Sequence, residues 1–390
     1  MKVFRALSTT RLAVLIAVFA ALVAASAALA VAASGGGGAT PTAKPLAQAI
    51  HDALSGPAPA GITAQITFTN KLFPSGALTG AAGSALLTGA SGRLWATNDG
   101  RGRLELQSGA GDVQIVWNAE KVTAYDATSN TVYSFTLPKD QQQQGSGDTG
   151  APPALSEITT LLDDLSKQAA VSGAQPDNVA NQPAYTVTVS PKHDGGLLGS
   201  AQLAFDAARG VPLRVAIYAQ GSSAPALALE ATDISYGSVA DSDVNVSPPA
   251  DAKVVDLSSA GAGTDPAGAD SSTQATGVAA VQAAVDFPVA APDTLVGLPR
   301  QTVRLAGKGA ALVVYGQGLG AIVVVEHKAD ASSKSGSLAG LPTVALDGVT
   351  AHELATQLGT VLEWQKGGRS FVLAGSLPPA AAESAARELG

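Results

Sequence analysis

A series of short alternating segments between Gly92 and Leu137 restricts the possible folds of this chain more than any other feature. Turn-forming residues recur there about every nine residues, which is the spacing of strands joined by tight turns. The turn clusters are Asp99-Gly100, Ser108 to Asp112, Asn118 to Glu120 and Ala127 to Asn130. Between them apolar and polar residues alternate with a period of two, which is typical of a strand with one buried face. The stretch therefore predicts an antiparallel meander with one apolar face.

Aromatic side chains are concentrated on this meander, although they make up only 4% of the chain. Two of the three tryptophans, Trp95 and Trp117, lie here together with Tyr125, Tyr133 and Phe135. This pattern allows two interpretations. It is either the core of an ordinary sheet or an apolar concavity that holds a guest molecule.

The N-terminal residues 1–33 predict where the protein is located. Lys2, Arg5 and Arg11 precede an uncharged, largely apolar run of 22 residues that ends at Ala33. A spanning helix needs about 20 residues, whereas the apolar part of a secretory signal has about 7 to 15. The run therefore favours an uncleaved transmembrane helix in the cytoplasmic membrane, with the bulk of the chain on the extracytoplasmic side. Small residues near its end leave open a cleaved signal and a secreted protein.

The charge and residue content exclude several classes of function. After the three basic residues of the leader are set aside, 20 Lys and Arg remain against 31 Asp and Glu, which leaves a net charge of −11. Such an acidic body repels nucleic acid and anionic lipid surfaces. The chain has no cysteine, and its four histidines lie far apart in the sequence, so we expect no metal site and no cofactor.

Composition divides the 390 residues into an anchor and two domains. Residues 34–43 are Gly-rich and predict a flexible tether. Residues 44–257 form the first domain, and residues 258–275 have the composition of a linker. The remainder, residues 276–390, predicts a small α+β domain. A helix that begins at a proline and runs through Leu389 follows its strands.

Helices and further strands are predicted on both sides of the meander. Leu46 to Leu54 and Leu155 to Leu165 each carry one apolar stripe at helical spacing and must cover an apolar surface. Ile62 to Phe68 alternates as a strand, and a hairpin-like region through Leu86 and Leu87 follows it. The later strands are Tyr185 to Val189, Ala201 to Phe205, Leu213 to Tyr218 and Leu227 to Ile234.

Several segments of residues 44–257 are similar in sequence to one family. These segments are Gly92 to Trp95, Arg103 to Leu106, Asn118 to Asp126, Asp206 to Arg214 and Ile234 to Gly237. They resemble the bacterial lipoprotein-carrier superfamily, which includes LolA, LolB and RseB. Residues 280–390 look like a C-terminal domain of unknown function found in membrane-anchored extracytoplasmic proteins, some associated with anti-sigma factors.

The resemblance implies an α+β fold in which an incomplete antiparallel β-barrel holds an acyl chain on its concave face, with the two helices as a lid. We therefore expect a ligand-binding set on that face, with Ile50 and Leu162 from the lid. Its other members are Trp95, Leu104, Leu106, Ile115, Trp117, Tyr125, Tyr133 and Phe135. The facing of this set depends on register, because a slip of one residue turns every side chain to the other face.

Short catalytic motifs in the chain are incomplete, so we do not expect an enzyme. Asp148-Thr149-Gly150 lacks the apolar flanks of an aspartic protease. Gly316 to Gly320 precedes an apolar strand instead of the helix of a dinucleotide site. His352-Glu353 begins a metalloprotease motif, but Thr356 stands where the second histidine belongs.

Two functions remain. The first is a membrane-anchored extracytoplasmic protein that binds a lipid or the acyl chain of a lipoprotein. The second is a regulatory or sensor module that docks on a membrane partner such as an anti-sigma factor.

Overall fold

The computed structural model describes residues 39–56, 58–72, 85–137, 153–192, 196–257, 275–306, 309–317, 320–329, 338 and 341–389. Between residues 61 and 256 the described strands form a curled sheet of 13 strands, antiparallel except for the parallel β13–β6 pair. In chain order the strands are β1 Gly61–Asn70, β2 Ala90–Thr97, β3 Gly102–Ser108, β4 Gly111–Trp117, β5 Lys121–Asp126, β6 Thr131–Thr136, β7 Ala169–Val171, β8 Gln175–Val179, β9 Gln182–Pro191, β10 Leu198–Asp206, β11 Pro212–Ala219, β12 Pro225–Tyr236 and β13 Lys253–Asp256. The helices of this part are α1 Leu46–Leu54, α2 Ala85–Thr88, α3 Leu155–Gln168 and α4 Asp241–Val244.

The predicted meander is confirmed. Strands β2 to β6 pair consecutively and antiparallel, and the pairs run without a register shift from Ala96–Gly102 to Asp126–Thr131. The full order is β13-β6-β5-β4-β3-β2-β1-β12-β11-β10-β9-β7, with β8 on β9. Because β13 and β7 lie at opposite ends of this order, the sheet of the described residues is an open half-barrel. The expected incomplete antiparallel barrel is therefore observed.

Two segments that carried the family resemblance contact each other in the fold. The hydroxyl of Tyr236 on β12 donates to the Asp206 carboxylate at 2.7 Å, and the Arg209 guanidinium lies 4.1 Å from the Tyr236 ring. Asp206 also accepts hydrogen bonds from the backbone N–H groups of Ala208 and Arg209 at 2.8 Å. These contacts fix the β10–β11 turn, so this part of the resemblance reflects structure rather than chemistry at a site.

The second domain has its own sheet and its own core. Its eight strands follow the order β14-β15-β16-β17-β21-β20-β19-β18. They are β14 Thr294–Leu295, β15 Leu298–Ala306, β16 Ala310–Tyr315, β17 Ile322–Lys328, β18 Thr343–Leu346, β19 Val349–Thr356, β20 Gly359–Lys366 and β21 Arg369–Gly375. Helices α5 Val278–Ala284 and α6 Pro379–Glu388 pack on this sheet. The strands flanking Gly316 pair antiparallel, so this stretch connects a hairpin, as predicted.

Among the described residues, hydrogen bonds join the two domains near the β19–β20 turn and the end of β21. The β19–β20 turn donates the N–H of Gln357 to the carbonyl of Leu72 at 3.1 Å. Ser376, which follows β21, accepts from Leu197 N–H at 3.0 Å through its carbonyl and from Leu198 N–H at 2.7 Å through its hydroxyl. Gly196 leaves the space for this contact, because a Cβ there would lie 1.7 Å from the Ser376 carbonyl oxygen.

Several predictions need correction. The predicted hairpin-like region at Leu86 and Leu87 is the short helix α2. The flexible tether was predicted through residue 43, but the carbonyl of Thr42 accepts the Tyr185 hydroxyl at 2.6 Å, so its last residues are held by the first domain. Within the described residues no helix has the length and hydropathy to cross a bilayer. The predicted anchor, residues 1–33, and nearly all of the predicted linker lie outside the described residues.

A candidate apolar binding face

The inner face of the half-barrel carries a row of apolar side chains that crosses seven strands. Antiparallel pairing places Ala64 beside Leu94, Leu94 beside Leu104 and Leu104 beside Ile115. The row continues through Ala124 and Tyr133 to Val255. Residues that pair directly share one face of a sheet, so these side chains form a continuous apolar surface. They belong to one core cluster.

A second inner row contains Trp117, which takes its position from a glycine. Trp117 pairs with Gly102 on the neighbouring strand, and a Cβ at Gly102 would lie 2.1 Å from the indole ring. The ring therefore lies across the backbone of β3. Val122 and Phe135 continue the row, with Phe135 half-buried.

Helix α2 covers the middle of this apolar face. It packs against β1, β3 and β4, and its residues Ala85 and Leu86 belong to the same core cluster as the inner rows. Leu86 is 1% exposed, and Leu104 and Leu106 beneath the cover are 0% exposed. A side chain that lined an open cavity would retain exposed surface. The face is therefore closed in this structure.

A buried side chain bonds the backbone of α2. Asn70, at the end of β1, donates to the carbonyl of Leu86 at 2.7 Å and accepts from Leu72 N–H at 3.0 Å. Gly89 ends the helix with a φ of +85°, and the chain then enters β2 beside β1. A helix of four residues has no stability of its own, so its position depends on tertiary contacts such as the burial of Leu86 and the bond from Asn70.

Most of the predicted binding residues lie on the inner face. Leu104, Leu106, Ile115 and Tyr133 are buried there, and Trp117 and Phe135 lie in the second inner row. Whether these side chains bind a ligand stays a prediction.

Trp95 and Tyr125 were predicted on the inner face and lie on the opposite one. Trp95 pairs with Arg103, whose guanidinium lies 4.9 Å from the indole ring, and Arg93 lies 5.5 Å from it. The Tyr125 hydroxyl donates to Asn130 at 3.1 Å in the adjoining turn. Both rings therefore have polar partners outside the half-barrel. In β2 the inward positions belong to the small and aliphatic residues, such as Leu94.

The predicted lid residues do not cover the meander either. Ile50 packs in a separate cluster with Tyr185, Val187 and Phe205 of strands β9 and β10. Leu162 is half-buried on α3, whose main contacts are with α1 and β7. The residues that do cover the meander, Leu86 with its partner Asn70, were not predicted from the sequence. The signal that could have identified Leu86 is a Leu-Leu pair followed by glycine, too short to show a helical period.

The second domain contains a buried carboxylate, Glu326, on the inner side of its sheet. Glu326 is 0% exposed, accepts the N–H of Ala290 at 3.0 Å and lies 3.3 Å from Arg369. Burial raises the pKa of Glu326 to about 7, although the bond from Ala290 and the charge of Arg369 act against that shift. Its second oxygen has no hydrogen-bond partner. Within the described part of the chain no group of three or more His, Cys, Asp or Glu could hold a metal ion.

The chain has distant similarity to several solved structures. No family model and no curated protein matches the sequence. The chain is similar to the Pseudomonas aeruginosa MucA/MucB complex structure, with 15% identity over 87% of this chain and 94% of that chain and a TM-score of 0.41. A structure of MucB alone gives 14% identity over the same shares and a TM-score of 0.34. The LolA superfamily protein NE2245 from Nitrosomonas europaea gives 7% identity over 85% and 91%, with a TM-score of 0.18.

All of these TM-scores are below 0.5, so the likenesses carry no argument about this chain. The incomplete, helix-covered sheet expected for residues 44–257 is observed in the structure itself. The family resemblance of residues 280–390 is unconfirmed and stays a prediction.

Proposed function

We propose that the inner face of the half-barrel binds an apolar group, such as the acyl chain of a lipid or lipoprotein, and that α2 must move to admit it. The observation that carries this proposal is the nature of the cover. A continuous apolar face across seven strands is closed at its centre by a helix of four residues. Burial contributes about 0.8 kcal/mol per methylene, so an acyl chain can replace the contacts that Leu86 makes.

In this proposal the second domain positions the cover. Its Gln357 N–H bonds the carbonyl of Leu72, the Leu72 N–H bonds the Asn70 side chain, and Asn70 bonds the carbonyl of Leu86. These three hydrogen bonds form a continuous connection from the second domain to α2. Docking of the second domain then favours the closed state of the face, because it fixes the backbone from which Asn70 and Leu72 hold α2.

The test compares two leucines of the same core. Leu86 lies on α2 and Leu213 lies on β11, and they are 1% and 2% exposed. Each change to Ala costs about 2 to 5 kcal/mol of folding stability. Only Leu86→Ala also weakens the closed state relative to the open one. We therefore expect Leu86→Ala to bind a fluorescent fatty acid at least tenfold more tightly than wild type, a change of about 1.4 kcal/mol.

Titration of the full chain with the probe, with circular dichroism to verify folding, gives the result. Leu213→Ala should bind no more tightly than wild type. If the folded wild type and the folded Leu86→Ala variant both leave the probe in water, α2 is a permanent part of the core and the proposal is wrong. Equal gains in the two variants would indicate general loosening and would also contradict it.

The second candidate function, docking on a membrane protein partner, has support in one feature. Helix α3 leaves leucine side chains exposed on the surface. In the matched Pseudomonas aeruginosa structure MucB forms a complex with MucA, which is the kind of partnership considered. Purification of the full chain from its native membrane separates the two functions. A stoichiometric protein partner with no extractable lipid would favour docking, whereas lipid without such a partner would favour the apolar site.

A further inference from the structure

Helix α3 has more apolar surface than its packing covers. Among the described residues five large apolar side chains are exposed, and three of them lie on α3. Leu161 is 69% exposed, Leu165 41% and Leu155 40%, whereas Ile158 between them is 5% exposed. A single exposed leucine needs no explanation. Leu161 and Leu165 lie one turn apart on the same face of α3, and Leu155 lies near the start of the helix, beyond the buried Ile158; together these exposed leucines mark a contact surface.

The chain enters the first domain close to this helix. The carbonyl of Ala39 lies 3.4 Å from the Asn178 amide, and the carbonyl of Thr42 accepts the Tyr185 hydroxyl at 2.6 Å. The next element, α1, packs on α3, and His51 of α1 lies 3.1 Å from the carbonyl of Pro153 just before α3. Ala39, Thr42 and α3 therefore lie on the same side of the first domain.

The length of the preceding segment limits how far this side can be from a membrane. The predicted anchor ends at Ala33, and Ala39 is the first of the described residues and already contacts the domain. Six residue steps span at most about 20 Å when fully extended. A helix of 14 residues is itself about 21 Å long. If the anchor crosses the bilayer, α3 is within reach of the membrane surface.

The charged side chains of α3 are mostly acidic. Lys192 donates to the carbonyl of Ser166 at 2.6 Å, and Lys167 pairs with Asp164 at 2.5 Å. The helix itself carries Glu157, Asp163 and Asp164 against one lysine, so charge does not draw it to a membrane. The net charge of −11 outside the leader disfavours an anionic surface, so the apolar contact must provide the affinity.

We propose that the leucine patch of α3, formed by Leu155, Leu161 and Leu165, docks on the outer surface of the bilayer that anchors the chain. The leucine side chains enter the interface, and the half-barrel is held in a fixed orientation over the membrane. This contact goes beyond the proposed binding of an apolar group and does not require it.

The absence of cysteine from the chain permits a direct test. Leu161→Cys places a single thiol on α3 for an environment-sensitive fluorophore. Val254→Cys is the matched control, because Val254 is also exposed, at 65%. It lies on β13, whereas α3 packs on β7 at the opposite end of the strand order. Each labelled full-length chain is reconstituted in phosphatidylcholine vesicles that contain spin-labelled lipid. We expect at least threefold stronger quenching at position 161 than at position 254.

Four results would overturn the proposal. The first is equally weak quenching at both positions, and the second is a full chain that does not remain with the vesicles. The third is a blue shift at position 161 that appears without lipid and disappears on dilution, which would assign the patch to a second copy of the chain. The fourth is protection of position 161 only after membrane proteins are added, which would assign it to a protein partner. Folding is not at risk, because both substituted side chains are exposed.

Discussion

Replacement of Gly196 by Ala should release α2 by disturbing the contact between the two domains. Gly196 has a φ of +67°, and a Cβ there would lie 1.7 Å from the Ser376 carbonyl oxygen. Because real Cβ contacts are not shorter than 3.0 Å, the two backbones must separate by more than 1 Å. That separation breaks the bonds from Leu197 N–H to the Ser376 carbonyl and from Leu198 N–H to its hydroxyl, now 3.0 and 2.7 Å long.

The expected magnitude follows from these two bonds. Each contributes about 0.5 to 1.5 kcal/mol net, so the docked arrangement loses about 1 to 3 kcal/mol. This corresponds to a change in the docked population of about 5- to 150-fold. Alanine at a positive φ adds a backbone cost of about 1 to 2 kcal/mol. Gly221→Ala has the same backbone cost, since Gly221 has a φ of +73°, but a Cβ there meets nothing within 4 Å.

Thiol labelling of α2 measures the effect. Ala85 is 0% exposed on α2, and Ala85→Cys introduces the single thiol of the chain. Its labelling rate reports how often α2 opens. With Gly196→Ala we expect the rate to rise at least fivefold, and with Gly221→Ala we expect no change.

Equal labelling rates in the three backgrounds would refute the role of the second domain. A rise with Gly221→Ala of the same size would attribute the effect to backbone strain alone. If Gly196→Ala does not fold, Ser376→Ala removes only the hydroxyl that accepts from Leu198 and donates to Leu358. It should raise the labelling rate by about tenfold or less, as the loss of one or two hydrogen bonds predicts.

Three further predictions follow from single side chains. Burial raises the pKa of Glu326 to about 7, so the folded state binds this proton more tightly than the unfolded state. The contribution of Glu326 to folding stability is therefore fully present below about pH 4.5 and is lost as the pH rises through 7. Urea unfolding should show a decrease of up to about 3 kcal/mol between pH 4.5 and 8, and a decrease of the same size in Glu326→Gln would contradict this. Leu106→Asp should unfold the first domain, because an unpaired buried charge costs several kcal/mol, whereas Glu105→Gln on the outer face should not; a folded Leu106→Asp in circular dichroism would show that the face is open. Asn70→Ala should raise the Ala85→Cys labelling rate, because it removes the bond to Leu86 at 2.7 Å, and an unchanged rate would show that this bond does not hold α2.

The error at Trp95 shows the limit of reading a sheet from its sequence. The period of two states that Trp95 and Leu94 point to opposite faces, but it does not state which face is inside. The concentration of aromatic residues on the meander favoured the tryptophan. In the fold Trp95 lies between Arg93 and Arg103 on the outer face, where an indole ring gains cation–π contacts that it would lose in the core.

The sequence by itself determined the local structure of this protein. Turn residues and alternation determined the meander, helical spacing determined α1 and α3, and a proline start determined α6, each helix to within a few residues, because these signals arise between neighbours in the chain. Tertiary structure alone decided that α2 covers the apolar face, that α3 leaves leucines exposed, and that Ser376 and Gln357 join the domains. These features depend on contacts between residues far apart in sequence, such as Leu86 with β4 and Gln357 with Leu72, and the residues that make them form no periodic pattern. Their energies come from burial and hydrogen bonding in the assembled fold.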